Sequence, residues 1–370
     1  MFNVLFVDDD SFMLRALLRL AKRLRPDWQF WTEEDGLNWA KSIANDVNVD
    51  LIICDYLMPD VNGDRVLVEV SKHYPQAIRA LLTGDTTEEV VCKAGKTAHF
   101  VLSKPFNEQD IVQLLTSVER VHKLPFSQDV RAMLGASALL LPLPDIVQQV
   151  RKVLLNQQSE AADIVDLIAH EPIITAKLLQ LANSAFLGFS RTTLSIEEAI
   201  KRLGVDLTSA IISSIAIEQS ATSIIDKSAQ SRINEHAYQL ALNAQKIAKA
   251  LNLQKSLQEE LFIAALMSSI GELILASRIW QDSFATQFTE WPVRKLIVSI
   301  SAYLLTLWGY SESLCDNILS SAEPEVSNVE HNLALLLCLA HYATKYHGRI
   351  PDEILNKLPD EQIKLKLANL

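Results

Sequence analysis

The sequence predicts two fold classes in tandem: a doubly wound α/β unit with a five-stranded parallel sheet, then an all-α region. Three observations lead there. Short β-branched or apolar runs alternate with stretches of helical spacing five times over the first 123 residues. The runs LFV, LIIC and ALL are continuous rather than alternating, as expected for strands covered on both faces. From about residue 139 no strand pattern stands, and apolar residues recur at three- and four-residue intervals.

The strands are expected at Asn3–Val7, Trp28–Trp31, Val49–Cys54, Ala77–Leu82 and Phe100–Leu102. The helices between and after them are expected at Ser11–Arg25, Leu37–Asn45, Asp64–His73, Thr87–Lys96 and Glu108–Lys123. A strand followed by a helix, repeated five times, closes only as a parallel sheet with helices on both faces. Pro125, Gly135 and Pro142 interrupt the chain within Lys123–Leu143. The expected domains are therefore 1–123 and 139–370, with 124–138 as a linker. Beyond it, DIVQQVRKVLL, AADIVDLIAH, IITAKLLQLANSAF, SIEEAIKRLG and LTSAIISSIAI carry the helical spacing. Gly204 stops one helix, while Pro144 and Pro172 suit first-turn positions.

Composition narrows the function by exclusion. The 370 residues are 49% hydrophobic and 21% charged, with a formal net charge of -11. Residues 1–123 hold 14 basic and 19 acidic side chains, net -5, and the remainder is net -6. Neither half carries the net positive charge usual for a nucleic-acid binder. No run approaches the ~18 apolar residues of a membrane span, and MFNVLFVDDD carries three carboxylates by residue ten, unlike a signal peptide. The cysteines at 54, 92, 315 and 338 form no CxxC pair, which points to reduced, cytoplasmic thiols and no zinc site.

Ligands of a doubly wound sheet collect at the carboxyl ends of its strands. Here those ends carry Asp8, Asp9 and Asp10, then Asp55, then Thr83 and Gly84, then Lys104-Pro105. Carboxylates converging on one edge want a cation, and a small all-oxygen set suits Mg²⁺. A lysine and a hydroxyl beside them would serve an anion that also touches the metal. Phosphoryl transfer to a carboxylate fits that combination. Asp10 is expected only to start a helix, Asp60 to sit in a turn, and Cys54 to be a small buried residue. Arg15, Arg19, Lys22, Arg23 and Arg25 are expected to form a solvated basic face.

VDDD at 7–10, DLIICDYLMPDVNG at 50–63, LLTGD at 81–85 and SKPF at 103–106 resemble the response-regulator receiver domain of two-component signalling, a flavodoxin-like fold. The resemblance implies that Asp55 is the phosphoacceptor, charged by a histidine kinase. It implies that Asp8 and Asp9 hold Mg²⁺ with Asp55 and the backbone carbonyl of Leu57. It makes Thr83 the hydroxyl that bonds the phosphorylated aspartate, and Lys104 the lysine that pairs with it, ahead of a proline that usually follows a cis peptide bond. Pro59 and Gly63 match turn residues. In one place the chain departs: Val101 stands where the family has an aromatic switch residue, and Phe100 precedes it.

In the second half, LPLPDIVQQVRKVL, LLQLANSAF (with Asn183 and Ser184) and SIEEAIKRLG resemble an HDOD domain, the output module related to HD-type metal phosphohydrolases. An HD hydrolase needs a His-Asp pair and further histidines to hold its metals. In FIAALMSSIGELIL that pair is replaced by Ser268 and Ser269, and Glu272 stands where a lysine is frequent. His236 looks like the one retained histidine. His331, His341 and His347 are spaced too irregularly to rebuild a site, and His170, Asn183, Ser184 and the WGY at 308–310 are given structural roles. No metal is expected in this domain.

The expectation is thus a cytoplasmic response regulator, a phosphoprotein that takes its phosphoryl group on Asp55. Its surface near Thr87–Lys96 and Glu108–Lys123 would pass the signal to a non-catalytic HDOD domain acting through protein–protein contact. The expected partners are a sensor histidine kinase and an unknown downstream protein, with a homodimer through the receiver left open and neither nucleic acid nor membrane involved. The alternative is an HD-superfamily phosphohydrolase, acting on a cyclic dinucleotide or nucleotide and regulated by the receiver.

Overall fold

In a computed structural model, the chain forms two compact units, Met1–Leu143 with Tyr303–Tyr310, and Pro144–Ala302 with Ser311–Leu370. The structure describes residues 1–44, 47–84, 97–135, 161–169, 195–220, 225–283 and 288–368, with isolated residues between 146 and 193.

The first unit holds a parallel sheet of order β2-β1-β3-β4-β5, built from β1 (Asn3–Val7), β2 (Gln29–Glu33), β3 (Leu51–Asp55), β4 (Ile78–Thr83) and β5 (Phe100–Ser103). The order reverses at β1 and β3, so the carboxyl ends of these two strands flank the crevice where such folds bind ligands. Every residue of β3 and β4 is buried, the outcome that their unbroken apolar runs predict. One face is covered by α1 (Ser11–Leu24) and by α3 (Glu108–Lys123). The other is covered by α2 (Gly63–His73) and by the segment before β3.

That segment differs from expectation. Residues 37–42 form successive turns, not the helix expected over Leu37–Asn45. Asp35 accepts from the main-chain N–H of Leu37 and Asn38, and Lys41 and Ile43 then bond three residues back. Trp39 and Ile43, four apart, still bury against Val66, Val70 and Tyr74, so the apolar spacing is met by tight turns. The expected helix Thr87–Lys96 lies outside the described residues. Within the expected linker 124–138 the chain instead forms α4 (Gln128–Gly135).

Helix ends follow their local sequence. Asp10 caps α1 by accepting from Phe12 N–H, and Asn107 with Asp110 forms a capping box on α3. Arg23 pairs with Glu108 and Arg25 with Glu119, so part of the basic face of α1 is joined to α3.

The second unit is helical among its described residues. They include α5 (Ala161–Ala169), α6 (Ile196–Leu203), α7 (Val205–Ser220), α8 (Lys227–Ala250), α9 (Lys255–Ser268), α10 (Ile270–Leu275), α11 (Arg278–Ser283), α12 (Val293–Leu307, as far as Ala302), α13 (Glu312–Ser320) and α14 (Leu333–Lys345). Gly204 ends α6 with φ +78°, a conformation that favours glycine. Helix α8 packs against α9 and α14 and forms the centre of the unit. No helix among the described residues is long and apolar enough to cross a membrane.

Candidate functional site

The carboxyl edge of the sheet assembles the predicted acidic residues. Asp8 follows β1 directly and Asp55 ends β3, side by side because Val7 pairs with Cys54. Main-chain bonds keep the strand ends level: Tyr56 N donates to Leu82 O at 2.8 Å and Lys104 N to Thr83 O at 2.7 Å. Asp8 is 1% exposed and Asp55 7%, whereas Asp9 faces solvent. One oxygen from each of Asp8, Asp9 and Asp55 lies within 4.8 Å of the others.

Lys104 reaches into this group from the end of β5, just ahead of a cis Lys104–Pro105 bond. Its Nζ lies 2.6 Å from Asp55 Oδ1 and 3.0 Å from Asp8 Oδ2. Burial works against the Lys104 ammonium, but its hydrogen bonds to Asp55 and Asp8 outweigh that and raise its pKa. Burial pushes the Asp55 carboxyl up, with Asp8 adding to the rise and Lys104 opposing it. The edge therefore holds more negative charge than one ammonium balances. Three carboxylates offering only hard oxygens are a donor set that fits Mg²⁺.

Thr83 is 1% exposed at the end of β4, joined to Lys104 through the main chain. Leu57 lies two residues beyond Asp55 in the following loop, with its side chain 57% exposed. The turn residue Gly63 has a closer role than its motif suggests. A Cβ there would stand 2.1 Å from the carbonyl oxygen of Asp55, so α2 starts in contact with the backbone of Asp55 itself. Cys54 is fully buried, and burial first of all raises its thiol pKa far above the ordinary value, so it is a packing residue. Val101 packs against the core of the sheet, and its neighbour Phe100 is 8% exposed.

In the helical unit, Ser268 and Ser269 are buried at 0% and 2%. Ser268 Oγ donates to its own helix at Ala265 O, and Ser301 Oγ donates to Ser268 O at 2.7 Å. Ser301 Oγ also accepts from Gly271 N at 2.8 Å. A Cβ on Gly271 would meet Ile297 O at 2.2 Å, so α10 and α12 touch backbone to backbone. Here Ser268 and Ser301 serve a packing seam, whereas Ser269 Oγ is buried with no hydrogen-bond partner among the described residues. His236 Nδ1 stands 2.8 Å from Glu272 Oε1, a pairing that no local pattern predicts. That hydrogen bond raises the His236 pKa. Asn183, Ser184 and His170 lie outside the described residues.

His341 supplies a pH test. Its Nε2 is buried and has no partner among the described residues. Burial first, then Arg294 and His236, hold its pKa well below the ordinary 6.5. Its contribution to stability is whole above pH ~6.5 and is lost as pH falls towards the folded value. His236 runs the other way: its contribution is whole below pH ~6.5 and is lost as pH rises through the raised value. Urea midpoints of the full chain are expected to fall between pH 6.5 and 5, and the fall should flatten in His341→Leu. An equal slope in that variant would place the acid sensitivity elsewhere.

Comparison with known proteins adds the family. Residues 4–116 match the response regulator receiver domain, and residues 140–324, half of the chain, match the HDOD domain. An uncharacterized protein of Treponema pallidum (strain Nichols) is 29% identical over 135 residues, 36% of this chain and 26% of that relative. The chain thus spans about a quarter of the length of that curated relative. Among solved structures, the signal receiver domain of an HD domain-containing protein from Pseudomonas fluorescens Pf-5 is 27% identical. It covers 32% of this chain and 94% of its own, with a TM-score of 0.29. An HDOD domain protein of unknown function from Geobacter sulfurreducens is 21% identical, covering 62% and 87%, with a TM-score of 0.45. With half of its length matched to HDOD and a receiver ahead of it, the chain belongs to the HDOD family as a response regulator with an HD-related output domain.

Proposed function

We propose that Asp55 takes a phosphoryl group from a sensor histidine kinase and that the HDOD domain answers through protein–protein contact, without catalysis of its own. The observation that carries the first half is Lys104 placed between Asp8 and Asp55, with Asp9 beside them. In the transfer, an Oδ of Asp55 attacks phosphorus, the P–N bond of the donor phosphohistidine breaks, and the imidazole leaves with the bonding pair. The Lys104 contact at 2.6 Å keeps Asp55 charged and positioned for attack, and the same ammonium meets the charge on the transferring oxygens. Thr83 supplies a hydroxyl donor to the aspartyl phosphate. Asp8, Asp9, Asp55 and the Leu57 carbonyl would hold Mg²⁺, which when bound neutralises phosphoryl oxygens that one lysine cannot.

The second half is supported by the seam around Ser268 and Ser269. A hydroxyl is a poor substitute for imidazole as a ligand, both serines are buried, and the Ser268 hydroxyl is already bonded to its own helix. The cytoplasm, where kinase, Mg²⁺ and reduced thiols coexist, is the compartment this reading requires.

Asp55→Asn is expected to abolish incorporation of phosphate from acetyl phosphate and Mg²⁺, read by intact mass. Phosphate still added to that variant would remove Asp55 from the acceptor role. For the output domain, metal analysis and a phosphodiesterase assay on the full chain should show neither stoichiometric transition metal nor turnover. Finding both would restore the hydrolase alternative.

A further inference from the structure

Arg79 is the charged residue in β4, IRALLT, and it is 2% exposed. A guanidinium at that depth needs a counter-charge or a set of acceptors. No carboxylate among the described residues pairs with it. Instead Nε donates to Thr97 O at 2.8 Å, Nη1 to Ala77 O at 3.4 Å, and Nη2 to Gly135 O at 3.4 Å. The His99 ring lies against it, with Nδ1 accepting the Arg79 main-chain N–H at 3.0 Å and Nε2 3.0 Å from Nη2. A neutral imidazole accepts at one nitrogen only, so the guanidinium is left to the three carbonyls. Burial lowers both groups, Arg79 to about 10 and His99 well below its ordinary value. At neutral pH the arginine stays charged and the histidine does not.

The acceptor at Gly135 belongs to α4, which follows the sheet in sequence. Gly135 itself is fitted to this place: a Cβ would stand 2.1 Å from Pro75 O, on the chain that leads into β4. Any other residue would push the helix away. The inward side chains of the same segment are buried, with Leu134 at 1%, Val130 at 2%, Phe126 at 5% and Leu124 at 6%. Polar, steric and apolar contacts therefore agree on one position for α4.

We propose that Arg79 and Gly135 form a staple that fixes residues 124–135, with α4 as their helical part, as the terminal segment of the receiver, so that this segment is no tether. The staple sits at the amino-terminal edge of β4 and β5. The same two strands carry Thr83 and Lys104 at their other ends, four residues or about 13 Å along. A displacement of either strand at the acceptor edge thus acts directly on the element that anchors the chain's exit. The staple itself requires nothing of Asp55, and its test does not use phosphorylation.

Hydrogen exchange read by mass spectrometry on the full chain decides the matter. In wild type, peptides over 128–135 should be protected like those of α3. Arg79→Met and Gly135→Ala, which attack the contact from opposite sides, should each speed exchange there about tenfold or more, with α1 and β1 unchanged. Exchange over 128–135 at unstructured rates in wild type would overturn the staple, as would unchanged protection in both variants. Loss of protection across the whole receiver in both would also overturn it, since the contact would then hold the sheet and not the helix.

Discussion

Replacing Lys104 by Met is expected to stop phosphoryl transfer and weaken the receiver together. The ammonium is 2.6 Å from Asp55 and 3.0 Å from Asp8, and those carboxylates are nearly closed to water. Without it, two buried negative charges face each other with Asp9 close by. Removing one member of a buried pair costs about 3–5 kcal/mol, and the 24% exposure of the Lys104 side chain argues for the lower end. Transfer from acetyl phosphate should fall about 100-fold or more, because a fixed charge on the transferring oxygens is gone. Added Mg²⁺ should raise the melting temperature of the variant more than that of wild type, since a cation held by the same carboxylates replaces the missing charge. Thermal melts with and without Mg²⁺, beside phosphate incorporation, check both effects. A variant that melts and reacts like wild type would make Lys104 a bystander.

Gly63→Ala is the second large effect. The added methyl would lie 2.1 Å from Asp55 O and 3.1 Å from Cys54 Sγ, and neither neighbour can yield cheaply. The oxygen is main chain in a strand paired on both sides, and the thiol is fully buried. Overpacking of this kind costs about 1–3 kcal/mol. The displacement falls on Asp55, the proposed acceptor, where a misplacement of about 1 Å can cost 100-fold in rate. Stability and phosphate incorporation should drop together, whereas an alanine on the exposed face of α2 should change neither. Normal incorporation in Gly63→Ala would show that the loop adjusts without moving Asp55.

Much of the receiver was legible because its signals are local. Continuous apolar runs give buried strands, and residues just past them must lie at the sheet's carboxyl edge, so Asp8, Asp55, Thr83 and Lys104 could be placed before any contact was known. What escaped depended on distant partners. Arg79 sits inside an otherwise apolar run and was absorbed into it, although a lone arginine in a central strand signals a contact that only the fold reveals. Gly135 reads as a linker glycine until Pro75 O is beside it. The turns at 37–42 keep helical apolar spacing, so periodicity alone could not separate them from a helix. The His236–Glu272 contact joins residues 36 apart, beyond any local pattern.

The seam at Ser268, Ser269 and Gly271 bears on what it would take to place metal ligands there. When a ligand is lost from an enzyme, the cavity it served can stay open, and a single reversion can restore the chemistry. Here the backbones of α10 and α12 are in contact, with the Ser301 hydroxyl bridging what lies between. An imidazole at 268 would have to displace neighbours in an interior already packed to 0% exposure. Installing a His-Asp pair at 268 and 269 would therefore demand movement of a neighbouring helix as well as two substitutions. Metal ligands engineered at these positions would meet a packing barrier before they met a metal.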